Sequence, residues 1–281
     1  PLPRASRPQA LAAIGGIDLA LWDIKGKAAG LPVWRLLGGG PGPVFCYATG
    51  GYYREGAGHE DCARELAAFV AKGFRAVKLK SGALAPAEEV ERVRAVREAI
   101  GREASLMLDL NAPYDLATAI AFARAVEPFD VFWLEEPLHW YLTPADFARL
   151  ARSTRIPLAH GERELTRHSV RDFVAAGAIR YVQFDATRAG GFTEALRVAQ
   201  LAEQHGVMIA PHLAPEVHAH LVAAFPGAGF GVEVHGGPER DPLWFGIFTE
   251  RAEVRGGFVH LTDKPGFGLG IDWEFVERHR A

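Results

Sequence analysis

Ala76-Val-Lys-Leu-Lys80, Leu106-Met-Leu-Asp-Leu-Asn111 and Val131-Phe-Trp-Leu-Glu-Glu-Pro137 are three short β-rich runs, each ending in charged or amide side chains. Between them, Ala87 to Ile100 and Leu116 to Val126 carry apolar residues at helical spacing. Strand, amphipathic helix, strand is a βαβ unit, and a series of such units implies a parallel sheet. The same alternation extends outward in both directions. Val44 to Tyr47 lies upstream; Ile156 to Ala159, Tyr181 to Phe184, Val207 to Ala210 and Phe230 to Val234 lie downstream, with further helical stretches at Asp61 to Lys72 and Thr193 to His205. Eight runs without a long irregular linker predict an α/β barrel of the (β/α)8 type. A doubly wound open sheet is the rival, but it places a glycine-rich turn after its first strand. Here Gly38-Gly39-Gly40 precedes that strand, and Gly50-Gly51 lacks the spacing. The chain is therefore divided into a lead-in helix (Ala10 to Leu37) and linker over 1–43, a barrel over 44–241, and a tail over 242–281. The tail reads as extended structure with one helix from Trp273 to Arg278.

Composition narrows the function classes. The 281 residues are 49% hydrophobic and carry a formal net charge of −3, so disorder is excluded for most of the chain and polyanion binding gets no support. No apolar run approaches the roughly 20 residues that span a bilayer. Cys46 and Cys62 are the only cysteines, so no disulfide framework is expected and a reducing cytoplasm is the expected compartment. The chain opens on Pro1, with no secretory signal. It holds 25 arginines but only six lysines, and two of those six fall in one strand.

Side chains alternate faces along a strand, and barrel chemistry sits at the strands' C-terminal ends. On that parity Lys78 and Lys80 point inward together, as do Asp109 and Asn111, and Glu135 shares the face of Trp133. Glu162 follows at the fifth strand end, Asp185 at the sixth, His212 at the seventh and Glu233 at the eighth. Three carboxylates at adjacent strand ends need a cation, and oxygen-only ligands suit Mg²⁺. Asp185 beside His212 would orient the imidazole and favour its protonated form. Taken singly, each residue has a plainer explanation: an Asp can cap a helix, Lys-x-Lys can line an edge strand, and a lone His can be structural. His218 and His220 are read that way, as packing residues of the following helix. Six consecutive strand ends on one parity are not explained so.

These segments resemble the enolase superfamily, specifically its mandelate racemase subgroup. The resemblance rests on Val77-Lys-Leu-Lys80, Leu108-Asp-Leu-Asn111, Trp133-Leu-Glu-Glu-Pro137, Gly161-Glu162, Phe184-Asp-Ala-Thr-Arg-Ala-Gly-Gly191 and Pro211-His-Leu213. Ile14 to Asp23 and Leu36-Leu-Gly-Gly39 add the family's lead-in helix. It implies a (β/α)7β-type modified TIM barrel, with Asp109, Glu135 and Glu162 as Mg²⁺ ligands. Lys80 is then one acid/base, tuned by Lys78, and His212 with Asp185 the other. Glu233 would donate a hydrogen bond to the substrate carboxylate, while Thr49 and Asn111 would contact substrate. Family members carry a capping domain before the barrel; its absence here, with Pro1 and the tail motif Pro265 to Ile271, implies a truncated sequence or a naturally capless barrel.

The chemistry so implied is removal of the proton α to a carboxylate, with Mg²⁺ countering the charge that develops; a lysine or histidine base with Mg²⁺ is the superfamily pattern. For Lys80 to act as base, Lys78 and partial burial are expected to lower its pKa. Dehydration of a sugar acid to a 2-keto-3-deoxy acid is the favoured outcome. Racemisation or epimerisation of a 2-hydroxy acid is the alternative, and an inactive barrel serving as a binding or structural protein is a third. Cycloisomerisation is disfavoured, because that subgroup uses two lysines without an Asp–His pair. The expected partner is a small carboxylate, not nucleic acid or membrane, and the resemblance implies a homo-oligomer.

Overall fold

The computed structural model describes residues 7–238 and 240–280. Eight parallel strands follow one another round a ring: β1 (Val44–Gly50), β2 (Ala76–Lys80), β3 (Ser105–Asp109), β4 (Val131–Glu135), β5 (Leu158–His160), β6 (Tyr181–Val182), β7 (Met208–Ile209) and β8 (Val232–His235). Each of the first six pairs with the next in sequence, and β8 pairs in parallel with β1, with Tyr47 opposite Glu233. Between β7 and β8 the ladder is reduced to one bridge, Ile209 to Gly229, flanked by Ile209 N donating to Ala228 O (2.7 Å) and Phe230 N donating to Ile209 O (2.9 Å). Sequential order with a return to β1 is the barrel arrangement and has no reversal point of the doubly wound kind.

A helix follows each of the first seven strands: α3 (His59–Ala71), α4 (Pro86–Ile100), α5 (Leu116–Val126), α6 (Pro144–Ala151), α7 (Arg167–Ala175), α8 (Gly191–Gln204) and α9 (Pro215–Ala224). Their starts are legible locally. Pro occupies the first turn of α4, α6 and α9, and Asp115 caps α5 by accepting from Thr118 N at 2.8 Å. β8 is followed only by the short α10 (Pro242–Gly246), where extended structure was expected. The rest of the tail is β9 (Phe248–Glu250), β10 (Glu253–Arg255), β11 (Phe258–His260), β12 (Gly270–Ile271) and α11 (Trp273–Arg278), with β11 antiparallel to β1.

The lead-in is two helices, not one. α1 (Arg7–Ala29) stops at Gly30, which has φ +66°, and α2 (Val33–Leu36) restarts after Pro32. Glycine takes the left-handed turn that ends α1, and proline breaks the hydrogen-bond run. An apolar row of α1 faces outward: Ile17 is 64% and Ile24 60% exposed, while the buried residues of α1 are Gly15 and Gly26. Small residues let α1 lie close to the barrel, and Gly15 sits against the backbone of Gly191. Among the described residues no helix is long and apolar enough to cross a membrane.

Inside the ring, Tyr47, Met107, Trp133, Tyr181 and Phe230 form an aromatic floor, with Trp133 4.9 Å from Tyr181 between ring centroids. This floor fills the barrel interior below the strand ends, so the polar groups gather above it.

His220, in α9, ties three parts of the fold together. Its Nδ1 accepts from Trp34 N (3.1 Å) and its Nε2–H donates to Phe267 O (3.2 Å), linking α9 to the lead-in and to the tail. Burial, outweighing the Phe267 carbonyl, pushes its pKa down from 6.5 to about 4. A histidine held neutral contributes its stability above pH 6.5 and loses it as pH falls toward 4, because only the unfolded chain takes the proton easily. That loss is worth about 3 kcal/mol. Melting temperatures between pH 7 and 4 should therefore fall less steeply for His220→Gln than for the parent chain, and equal slopes would contradict the assignment.

Candidate active site

The strand ends β2 to β8 deliver their side chains to one small volume. Asp109, Glu135 and Glu162 are all buried and offer carboxylate oxygens within 4.8 Å of one another. Asp109 and Glu135 lie on the inward parity of β3 and β4, opposite each other in the ladder. Glu162 does not. β5 ends at His160, and with Ala159 inward the same alternation turns Glu162 away. Gly161 restores the direction: at φ +138° it takes a backbone shape open to glycine, and a Cβ there would lie 3.0 Å from Gln183 N. The expected single parity thus fails at one ligand, and a glycine corrects it.

Lys78 is the hub below the triad. Fully buried, its Nζ lies 2.7 and 2.9 Å from the Glu135 oxygens, 3.0 Å from Glu233 and 3.3 Å from Asp109. Burial favours the neutral amine, but the three carboxylates win and hold Lys78 cationic. Lys80, on the same face and 12% exposed, pairs with Asp109 and donates to Asn111 Oδ1 (3.2 Å). Its pKa also departs from expectation. Burial and Lys78 do push it down, but the Asp109 carboxylate against it pushes harder, and the net shift is upward.

At the other end of the triad, His212 Nδ1 meets Asp185 Oδ2 at 2.9 Å, and its Nε2 lies 3.4 Å from Glu162. Asp185 is fixed in turn by Thr187, whose N and Oγ1 donate to it at 2.8 and 2.7 Å. Burial disfavours both charges. The His212 hydrogen bond and the nearby histidines nevertheless lower Asp185 to about 2, and the bond to Asp185 raises His212 above 6.5. His218 and His220 are buried in α9 but do more than pack: His218 Nε2 accepts from Ala186 N (3.0 Å) and its Nδ1–H donates to Leu213 O (2.7 Å), beside Asp185.

Glu233 and Thr49 form one unit. The Thr49 hydroxyl, wholly buried, donates to Glu233 Oε1 at 2.5 Å, so it orients Glu233. Burial would neutralise Glu233, but Lys78, His212 and Lys80 hold it well below the usual carboxylate range. As it stands it is an acceptor, where donation to a substrate carboxylate was expected. Asn111 is exposed at the rim in the left-handed region (φ 51°), beside Lys80. Ala112, Glu136, Leu213 and Ala214 share positive φ at the ends of β3, β4 and β7. Such backbone strain is tolerated where the surrounding fold holds a functional geometry.

The donor set fits a hard divalent cation. Asp109, Glu135, Glu162, Asp185 and Glu233 are five buried carboxylates facing two lysines and one histidine, and Glu162 Oε2 is buried without a hydrogen-bond partner. Rigid strand ends with oxygen donors suit Mg²⁺.

A cavity of about 700 Å³ opens from Asp185 and His212 toward His235, Arg188 and the tail residues Trp244 and Arg251, a size suited to a small molecule. His235 escaped the sequence reading. It lies two residues beyond Glu233 on the same face, its Nε2 2.5 Å from the Tyr52 hydroxyl, with the Arg240 guanidinium stacked on the Tyr52 ring. Extending the parity rule by one step along β8 would have found it.

The family model described as enolase C-terminal domain-like matches residues 61–275, and the mandelate racemase/muconate lactonizing enzyme N-terminal domain matches residues 3–38. L-talarate/galactarate dehydratase of Salmonella typhimurium is 37% identical over 263 residues, covering 93% of this chain; the match spans 64% of that protein's length. The 3,6-anhydro-α-L-galactonate cycloisomerase of Streptomyces coelicolor is 36% identical over 275 residues, covering 96% of this chain and 72% of that protein. Among solved structures, L-talarate dehydratase from Polaromonas sp. JS666, complexed with Mg and L-glucarate, matches with a TM-score of 0.84 at 36% identity, over 95% of this chain and 72% of that one. The chain belongs to the enolase superfamily, in its mandelate racemase/muconate lactonizing enzyme branch.

Proposed function

We propose that the chain carries the active site of a Mg²⁺-dependent acid-sugar dehydratase, forming a 2-keto-3-deoxy acid. One observation carries this reading. Lys80 against Asp109 and the Asp185–His212 pair near Glu162 flank a single buried carboxylate triad, Asp109, Glu135 and Glu162. When bound there, Mg²⁺ supplies positive charge beside the substrate carboxylate and competes for the Asp109 charge that otherwise holds Lys80 protonated.

The residues then divide the work. Neutral Lys80 takes the proton from the carbon α to the carboxylate, and the C–H electron pair delocalises toward that carboxylate. His212, kept protonated by Asp185, gives its proton to the β-hydroxyl as the C–O bond breaks, and the bond's electrons leave with oxygen as water. The resulting enol takes a proton at C3, gives up the one on its C2 hydroxyl, and becomes the 2-keto-3-deoxy acid. Lys78 holds Glu135 and Glu233 in place, and Thr49 orients Glu233. Asn111 beside Lys80, and Glu233, border the substrate. The aromatic floor around Trp133 keeps water from below.

Relatives named as dehydratases support this outcome. The same two groups support epimerisation, if His212 returns a proton to the α-carbon from the opposite face. The disfavour placed on cycloisomerisation is weakened by a 36% identical relative bearing that name.

NMR in D₂O with Mg²⁺, over a panel of aldonic, aldaric, 2-hydroxy and anhydro-sugar acids, tests the proposal. A 2-keto-3-deoxy product is expected. Inversion with deuterium at the α-carbon and no water loss would replace dehydration by epimerisation, and a rearranged anhydro acid would replace it by cycloisomerisation. No exchange of any acid, with Mg²⁺ bound, would favour a binding or structural barrel.

A further inference from the structure

Arg92 projects from α4 into the seam between the ends of β1 and β2. The ladder between those strands stops at the pair Gly50–Leu79, one residue short of Lys80. Among the described residues, no register pair joins the two strands beyond that point. The guanidinium takes over: Nη1 donates to Lys80 O at 2.9 Å and Nη2 donates to Gly51 O at 2.6 Å. One planar fork therefore joins the residue that bears the base to the residue preceding Tyr52. The Tyr52 ring lies 5.6 Å from Lys80 Nζ.

The fork is itself held. Arg92 is 4% exposed and Glu89, one turn earlier, is wholly buried; Glu89 Oε2 accepts from Nη1 at 3.1 Å. Glu89 Oε1 accepts from Leu84 N at 2.9 Å and from the Tyr53 hydroxyl, which in turn accepts from Ala83 N at 3.1 Å. The Arg92 guanidinium also stacks 4.2 Å from the Tyr53 ring centre. Buried charge costs stability unless it is fully paired. Apart from Glu89 and the Cys62 sulfur of α3, which Nη2 meets at 3.5 Å, the partners of Arg92 belong to the end of β2 or to the loop leaving β1. An apolar residue would fill the space but bond neither carbonyl.

We propose that Arg92 is a positioning residue for Lys80: its fork fixes the Lys80 main chain, and with it the Tyr52 loop, so that the amine stays aimed at the α-carbon. The effect on turnover rests on the acid-sugar reading above; the effect on the loops does not. A lysine at this position keeps the charge but lacks the rigid planar fork that spans both carbonyls.

The test compares Arg92→Lys and Arg92→Met with the parent chain at saturating Mg²⁺. Two readouts are taken: steady-state kinetics on the best acid, and amide hydrogen exchange by mass spectrometry. Exchange in segments 51–54 and 80–84 should rise at least about tenfold in both variants, with the rest of the chain unchanged. kcat should fall about 100-fold while KM moves less than about threefold, as expected when a reacting group is misaimed by an ångström. Unchanged local exchange and unchanged kcat would overturn the proposal. So would faster exchange throughout the chain with kcat and KM changing together, which is general destabilisation. If Arg92→Met does not fold, Arg92→Lys carries the test. If the parent chain turns over no acid, the function reading fails, and local exchange alone decides the role of Arg92.

Discussion

Replacing Lys80 by Met is expected to lower turnover of the acid substrate by at least about 10³-fold, the scale on which a positioned acid/base acts. Met preserves the length of the stem and removes the only function proposed for its tip. The loss should fall on kcat, and α-proton exchange should fall in parallel, because the other acid/base group, His212, is kept protonated by Asp185. Lys78 is not a substitute: it is wholly buried and paired with Glu135, Glu233 and Asp109. His212→Asn is the informative partner. It removes the group proposed to expel the β-hydroxyl, so product formation should fall by a similar factor while exchange at the α-carbon persists. If Lys80→Met retains exchange and His212→Asn loses it, the roles of the two groups are reversed.

Glu162→Gln should weaken Mg²⁺ binding by at least about 100-fold, more than the loss that follows when only a supporting partner of a ligand is removed. Glu162 Oε2 is buried without a hydrogen-bond partner, and the carboxylate lies among others of like charge. Its cationic neighbours, Arg188 and His212, each lie 3.4 Å away, so relief of like-charge crowding is set against two long ion pairs and the metal-free proteins should be about equally stable. With metal they should differ. A ligand present at 100 times its Kd stabilises by about 2.7 kcal/mol, so the parent chain should gain melting temperature with Mg²⁺ and the variant should not. Calorimetric titration with MgCl₂ and melting with and without it check both halves. Equal Mg²⁺ affinity in the two proteins would remove Glu162 from the ligand set.

Much of this site is written in alternation. Lys78 and Lys80, Asp109 and Glu135 follow from strand period alone, because a strand leaves a side chain only two directions. Glu162 could not be placed by that rule, since the turn at Gly161 that aims it depends on a backbone angle and not on a residue pattern. The charge of Lys80 is similarly hidden. Its neighbour in sequence, Lys78, argues for a lowered pKa, whereas its neighbour across the ladder, Asp109, decides for a raised one. In α1 the apolar residues fall at helical spacing, yet Gly15 and Gly26 make the close approach and the isoleucines stand outside. There the pattern showed which residues share a face but not which face meets the barrel. The break at Gly30 and Pro32 was legible, as glycine followed closely by proline is a stop signal. Arg92 carries no sequence signal of its role, because its partners are carbonyl groups that every residue possesses.

The central claim is that Lys80 abstracts an α-proton beside a metal held by Asp109, Glu135 and Glu162. Deuterium incorporation at the α-carbon tests it most directly, read by NMR in D₂O with the His212→Asn chain, where water loss no longer removes the exchanged acid. The account predicts incorporation that requires Mg²⁺, stops with chelator and is absent when Lys80→Met is added. Incorporation that survives chelation or the Lys80→Met change, or none at all in a folded, Mg²⁺-bound chain, would contradict it.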